Sequence, residues 1–127
     1  VVGRDGTSDK VDIENRWVSE EEKAQRLSGA LAAAYVPFDE DSYGYSTIEA
    51  AHARRCTVTV ADAGGVLEFV RDRETGYVVA PDARALAAAF DQLYGDRAVA
   101  RRMGEAAHQR LDDMGIDWET VVTKLLA

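Results

Sequence analysis

Short apolar segments alternate along this chain with segments that carry helix signals. The clearest apolar segment, Thr57–Val60, is β-branched throughout and predicts a buried strand. Between such segments, Ser19 precedes Glu22 by three residues, which is the spacing of a capping box, and Asp82 can cap the helix that follows it. Strands that alternate with helices form βαβ units. The order therefore predicts an α/β, Rossmann-like fold with a mostly parallel sheet and helices on both faces.

The same signals predict the bounds of the other elements. We expect further strands at residues 1–2, 13–18, 32–38 and 77–79. We expect helices at residues 19–31, 46–54, 67–70, 97–113 and 117–126, besides the one that starts after Asp82. A second capping box, from Ser46 to Glu49, begins the helix at residues 46–54.

Length and charge narrow the functional classes. A chain of 127 residues has room for one core, so we expect residues 1–127 to form a single domain. The 23 Asp and Glu outnumber the 15 Lys and Arg, which argues against nucleic acid or an anionic membrane surface as the partner. The single cysteine, Cys56, excludes an intrachain disulfide, and no signal peptide is visible, so we expect a cytoplasmic protein.

An acidic loop between a predicted strand and the next helix combines groups that suit a nucleotide-sugar. Ligands of parallel sheets bind at the carboxyl ends of the strands, where this loop lies. Gly44 lets the backbone approach a ligand closely, and the first helix amides, with the hydroxyls of Ser46 and Thr47, suit a phosphate. Glu49 and Asp41 could accept hydrogen bonds from a ribose and from sugar hydroxyls.

The same segment contains a spaced pattern of residues: Pro37, Asp41, Tyr43, Gly44, Glu49 and Ala50. This pattern resembles the signature Pro-x-x-x-Glu-x-Phe/Tyr-Gly-x-x-x-x-Glu-Ala of the donor-binding domain of retaining GT-B glycosyltransferases, the group 1 family. Further motifs match in register at residues 17–19, 52–58, 63–70 and 74–79, although Arg54 and Cys56 stand where the family usually has Gly and Pro. The chain thus resembles the C-terminal, donor-binding half of a GT-B fold, truncated at its start.

The resemblance implies a function and roles for individual residues. It implies that the chain binds a nucleotide-sugar donor for retaining transfer to an unknown acceptor, with no metal or other cofactor. Asp41 is the implied catalytic residue, because it would contact the donor sugar, and Glu49 would contact the ribose. The residues implied to bind the nucleotide-sugar are Tyr43, Gly44, Tyr45, Ser46, Thr47, Glu49, Gly64, Gly65, Trp17 and Val18.

The resemblance also implies a partner. The acceptor site would lie on an N-terminal domain of a parent protein, so we expect the chain to be a fragment of a two-domain enzyme and inactive on its own. Membrane contact of the parent is compatible with this but is not encoded here. Arg4 and Lys10 are either the family's phosphate-binding pair or a superficial copy. The interval from Lys10 to Pro37 is too short for the intervening elements and favours the second interpretation.

Other interpretations stay open on the residues alone. Glu49 can serve only to cap a helix together with Ser46, and Gly64-Gly65 can be a plain turn. The same fold with an eroded donor site could be a non-catalytic binding or scaffold module. A receiver-type signalling domain fits less well, because the sequence offers no Lys directly after a late strand.

Overall fold

The computed structural model describes residues 15–39 and 44–127. In these residues, three strands form one parallel sheet in the order β1 (Ala33–Tyr35), β2 (Thr57–Val60), β3 (Gly76–Val79). The helices are α1 (Glu20–Gly29), α2 (Tyr45–His52), α3 (Ala83–Gly95), α4 (Arg97–Met114) and α5 (Trp118–Leu126), and a 3-10 helix (Gly65–Glu68) lies between β2 and β3. The prediction of a parallel α/β sheet is confirmed.

The central strand β2 is the core of the sheet. All four of its residues are buried, which explains why it is β-branched throughout instead of alternating with polar residues. Val58 packs with Ala89 and Leu93 of α3, whereas its neighbour Thr57 borders a cavity shared with α2. Because successive side chains of a strand point to opposite faces, helices cover both faces of the sheet. Within the described residues, no helix is both long enough and apolar enough to cross a membrane.

Local capping signals set where two of the helices begin. The Ser19 hydroxyl accepts a hydrogen bond from the Glu22 amide at 3.2 Å and begins α1, as predicted. Asp82 accepts hydrogen bonds from the first amides of α3 at 2.9 Å, also as predicted. The Glu22 carboxylate binds Arg16 and Arg26, and the hydrogen bond from Arg16 leads the interactions that lower the pKa of Glu22.

Several predicted element bounds are wrong. Residues 15–18 of the predicted strand at 13–18 are not extended sheet, and Trp17 is fully exposed, so this segment lacks the burial that stabilises a strand. The strand predicted at 32–38 is shortened to β1, because only the three residues of β1 pair with β2 and the following Val36 and Phe38 are exposed. The helix predicted at 67–70 is the 3-10 helix that starts at Gly65. The predicted strand at 1–2 lies outside the described residues.

Candidate functional site

Gly44, which directly precedes α2, lies against side chains of β1 and of the 3-10 helix. Its φ is +62°, in the left-handed region that glycine tolerates without strain. A Cβ added here would lie 2.9 Å from Cε1 of Tyr35 and 3.1 Å from Cγ2 of Val66. Tyr35 ends β1 and Val66 belongs to the 3-10 helix after Gly64. The close contacts that require glycine here are made to the protein's own side chains, whereas the predicted approach of Gly44 to a ligand stays a prediction.

The start of α2 differs from the predicted capping box. Helix α2 begins at Tyr45 with Gly44 as its N-cap, so Ser46 lies inside the helix and does not cap it. The physical reason is the left-handed turn at Gly44, which presents its carbonyl to Thr47. Both the amide and the hydroxyl of Thr47 donate to that carbonyl, at 2.8 and 2.7 Å.

These bonds divide the predicted phosphate-binding residues into two groups. Thr47 is buried and its hydroxyl already has an acceptor, so the side chain serves the helix start and is not presented to a ligand. Tyr45 and Ser46 are exposed. The first amides of a helix have no acceptor within the helix, and the helix dipole favours an anion near them. The amides of Tyr45 and Ser46 are therefore the groups of this helix start best suited to a phosphate.

Glu49 does not form a capping box but an ion pair with α1. Its Oε1 lies 2.7 Å from Nζ of Lys23, and the same Nζ lies 3.0 Å from Oε2 of Glu20. The hydrogen bond to Glu49, followed by the one to Glu20, raises the pKa of the Lys23 ammonium. Glu49 and Lys23 are each about one-third exposed, so the pair faces solvent at the rim of a cavity.

That cavity lies between α1, α2 and the sheet. It has a volume of about 280 Å³ and is lined by Lys23 and Leu27 of α1, Ser46 and Glu49 of α2, and residues of β1 and β2. A neighbouring cavity of about 320 Å³ shares Lys23, Leu27 and Glu49 and extends to His52. The polar groups of Ser46, Glu49 and Lys23 therefore converge on one groove, which we call the α1–α2 groove.

The other predicted site residues are not among those that line this groove, or lie outside the described residues. Gly64 has a φ of +77° and begins the 3-10 helix, so this glycine is required by the turn itself. Trp17 is fully exposed and Val18 half-buried, directly before α1. Asp41 and Tyr43 lie outside the described residues. Gly65 follows Gly64 in the turn that places Val66 against Gly44.

Sequence reasoning missed Lys23. Its partner Glu49 is 26 residues away, and no local pattern links the two. The only signal near Lys23 was Glu20, three residues before it on the same face of α1. That signal indicated an ordinary surface pair and gave no hint of a contact across two helices.

The parallel sheet, with a glycine turn and a helix N-terminus directly after β1, has the architecture of a Rossmann-like α/β domain, which is the fold type of GT-B glycosyltransferase domains. The family model described as glycosyl transferases group 1 matches residues 9–110, and the chain belongs to this family. The predicted family is thus confirmed.

Known relatives agree with this assignment. The chain is 31% identical over 106 residues to alpha-1,3/1,6-mannosyltransferase ALG2 of Dictyostelium discoideum, a match that covers 80% of this chain and 25% of that protein. Sucrose-phosphate synthase from Thermosynechococcus elongatus is 28% identical with a TM-score of 0.78, covering 85% of this chain and 27% of that one. The chain spans about a quarter of the length of these relatives.

A more distant solved structure shares the fold. Anabaena HepE, whose structure was solved in complex with UDP-glucose, is 20% identical with a TM-score of 0.66, and the match covers 81% of this chain and 29% of that chain. At this identity the likeness concerns the fold alone, and it supports the GT-B assignment.

Proposed function

We propose that this chain is the donor-binding domain of a retaining glycosyltransferase and that it binds a nucleotide-sugar in the α1–α2 groove and at the start of α2. The observation that carries the proposal is the position of Glu49, whose carboxylate lies at the rim of the groove one turn after the helix start. A diphosphate at the amides of Tyr45 and Ser46 leaves a ribose within reach of that carboxylate.

The names and bound ligands of similar proteins also support this proposal. ALG2 is by name a mannosyltransferase, and HepE is a protein that was solved with UDP-glucose. Both descriptions suit a site that has one anion-binding end and one carboxylate end. Asp41 is the proposed contact to the donor sugar, Trp17 and Val18 border the base, and Tyr43, Gly64 and Gly65 complete the donor contacts.

The proposed reaction depends on helix amides and basic groups that stabilise the departing diphosphate, without a metal cofactor. The acceptor site is proposed on an N-terminal domain of a larger, cytoplasmic parent protein, whose contact with a membrane is compatible with this proposal. We therefore expect the chain alone to bind donor but to transfer sugar at no enzyme-like rate. An assay of sugar transfer by the purified chain, with water and simple glycosides as acceptors, tests this point.

Titration of the chain with UDP-, GDP- and ADP-sugars tests the binding function. Tryptophan fluorescence and thermal shift report on saturation, and Glu49→Ala should weaken the preferred nucleotide about 10- to 100-fold, because it removes a charged acceptor from the ribose. Glu119→Ala, on the exposed surface of α5, is the matched control and should leave the affinity unchanged. Equal affinity of wild type and Glu49→Ala for the nucleotide-sugar would show that Glu49 does not contact the ligand. No binding of any nucleotide-sugar would contradict donor binding by this chain alone, and absence of binding by the full-length protein as well would favour the non-catalytic scaffold.

A further inference from the structure

The ion pair between Lys23 and Glu49 joins two helices that are otherwise separated by the groove. Nζ of Lys23 contacts Oε1 of Glu49, while Glu20 contacts the same Nζ from within α1. We propose that Lys23 is a positioning residue for nucleotide binding: it holds the Glu49 carboxylate by one oxygen so that the other can accept ribose hydroxyls. This inference rests on the proposed function, because it assigns a cause to the orientation of the proposed ribose acceptor.

The chemistry of a carboxylate makes this arrangement possible. A carboxylate has two oxygens with about four acceptor positions, and a single ammonium hydrogen bond to Oε1 leaves Oε2 able to accept. A free glutamate side chain on a helix surface explores several rotamers, and fixing one of them costs conformational entropy at the moment of binding. An ion pair that fixes the rotamer beforehand removes that cost from the binding step.

The surroundings of Lys23 restrict where its ammonium can go. The Ser19 cap begins α1 one turn before Lys23, and the Lys23 side chain is about one-third exposed along the groove. Glu20, at i−3 on α1, holds the ammonium on the side that faces α2. Lys23 therefore reaches Glu49 from a helix whose last turn is held by Arg55, which donates hydrogen bonds to the carbonyls of Leu27 and Ser28.

The stability of the fold does not depend on this pair. Both partners are partly solvent-exposed, and exposed ion pairs contribute little to the free energy of unfolding. We therefore expect Lys23→Met, which keeps the apolar stem and removes the charge, to fold like wild type. An effect of this variant on nucleotide affinity then reports on the site and not on the fold.

The experiment compares ribose-containing and ribose-modified nucleotides on the same variants. UDP, GDP and ADP and their 2′,3′-dideoxy counterparts are titrated against wild type, Lys23→Met and Lys23→Arg. Lys23→Met should weaken the preferred ribonucleotide about tenfold and its dideoxy counterpart by less than about twofold. Lys23→Arg keeps a donor for Glu49 and should restore most of the lost affinity. Lys124→Met removes a charge from α5 and is the control for general attraction of an anionic ligand.

Each other outcome overturns a defined part of the argument. Equal losses for both kinds of nucleotide would make Lys23 a simple attractor of phosphate, and unchanged or tighter binding would make it a neutral or competing partner of Glu49. Either result refutes the positioning role while the proposed function stands, provided that Glu49→Ala weakens binding. If wild type binds no nucleotide, the proposed function fails and the positioning role with it.

A measurement without ligand tests the positioning role of Lys23 separately from the proposed nucleotide-binding function. The pKa of the Lys23 ammonium, followed by NMR of its side-chain nitrogen, should fall in Glu49→Gln, because the hydrogen bond to Glu49 is the leading cause of its increase. An unchanged pKa would show that the pair is absent in solution and would refute the positioning role independently of any nucleotide.

Discussion

Replacing Gly104 with alanine should destabilise this protein, although helix propensity alone predicts the opposite. Gly104 lies in the middle of α4, where alanine is favoured over glycine by about 1 kcal/mol. A Cβ at this position would lie 2.1 Å from the carbonyl oxygen of Arg54 and 2.8 Å from its carbonyl carbon. Because both atoms belong to the backbone, no side-chain rotation relieves the contact, and α4 must move away from the end of α2.

The size of the effect follows from these two opposing contributions. Overpacking a tight contact costs about 1 to 3 kcal/mol of stability. Because the neighbour here is the backbone of Arg54, which cannot rotate away, we expect a cost of about 3 kcal/mol. Subtracting about 1 kcal/mol for helix propensity leaves a net loss of about 2 kcal/mol. For a chain of this length each kcal/mol shifts the Tm by about 3 to 5 °C, so the Tm should fall by about 6 to 10 °C.

Gly95→Ala is the matched control for this prediction. Gly95 is the last residue of α3, and a Cβ there meets nothing within 4 Å. The same substitution should therefore stabilise the chain by about 0.4 to 1 kcal/mol, because alanine lowers the conformational entropy of the unfolded chain. Urea and thermal unfolding of both variants give the two values. A Gly104→Ala chain that is as stable as Gly95→Ala would refute the close backbone contact between α4 and the end of α2.

Two further predictions concern residues near the same contact. Arg54 has a φ of +56° and follows α2 in a Schellman motif, so Arg54→Gly should be about 1 kcal/mol more stable than Arg54→Ala. Both variants lose the ion pair with Glu105, so the comparison isolates the backbone strain. Equal unfolding midpoints of the two variants would contradict that strain. Burial raises the pKa of the Cys56 thiol to about 11, so the folded thiol keeps its proton while the unfolded one loses it above its ordinary value of 9.0. The free energy of unfolding should therefore fall by roughly 2 kcal/mol between pH 9 and 11, and Cys56→Ala should fall less steeply; parallel pH profiles would show that Cys56 does not contribute.

The Schellman motif at Arg54 accounts for the glycine that the family usually has at this position. The amides of Arg54 and Arg55 donate to the carbonyls of Ala51 and Ala50, which is the hydrogen-bond pattern of this motif. The residue in its left-handed position is usually glycine, as at Gly115 at the end of α4. Arg54 stands where the resemblance expects glycine, and the structure shows that the backbone there keeps the conformation that glycine favours.

Helix α2 carries both core residues and a residue of the candidate site. Helix α4 packs along α2, with Ala107 and Leu111 in the same core cluster as Ile48 and Ala51. Glu49 lies between these two buried residues in sequence and on the opposite side of the same helix, at the groove. Changes that move α4 should therefore reach Glu49 through α2, and the Gly104→Ala variant should bind nucleotide more weakly than Gly95→Ala.

The local features of the fold were predictable from sequence because short segments encode them. The β-branched run of β2 and the caps at Ser19 and Asp82 act within a few residues, and each lies where the sequence predicted it. The glycines at Gly44 and Gly64 were also identified as special, and both have the left-handed φ that explains why glycine is there. The sequence by itself therefore determined the fold class and the family, whereas the donor site at the carboxyl ends of the strands stays a prediction.

Only the tertiary structure decided which groups meet at that site. The predicted capping box at Ser46 is wrong because the N-cap is Gly44, two residues earlier, where its backbone lies against Tyr35 and Val66. Glu49, predicted to act on a ribose or as a cap, is held by Lys23 from another helix. Contacts of this kind depend on how helices pack around a strand, and their partners are many residues apart. Helix propensities and caps depend on residues close in sequence, whereas the candidate site depends on contacts between residues far apart in sequence.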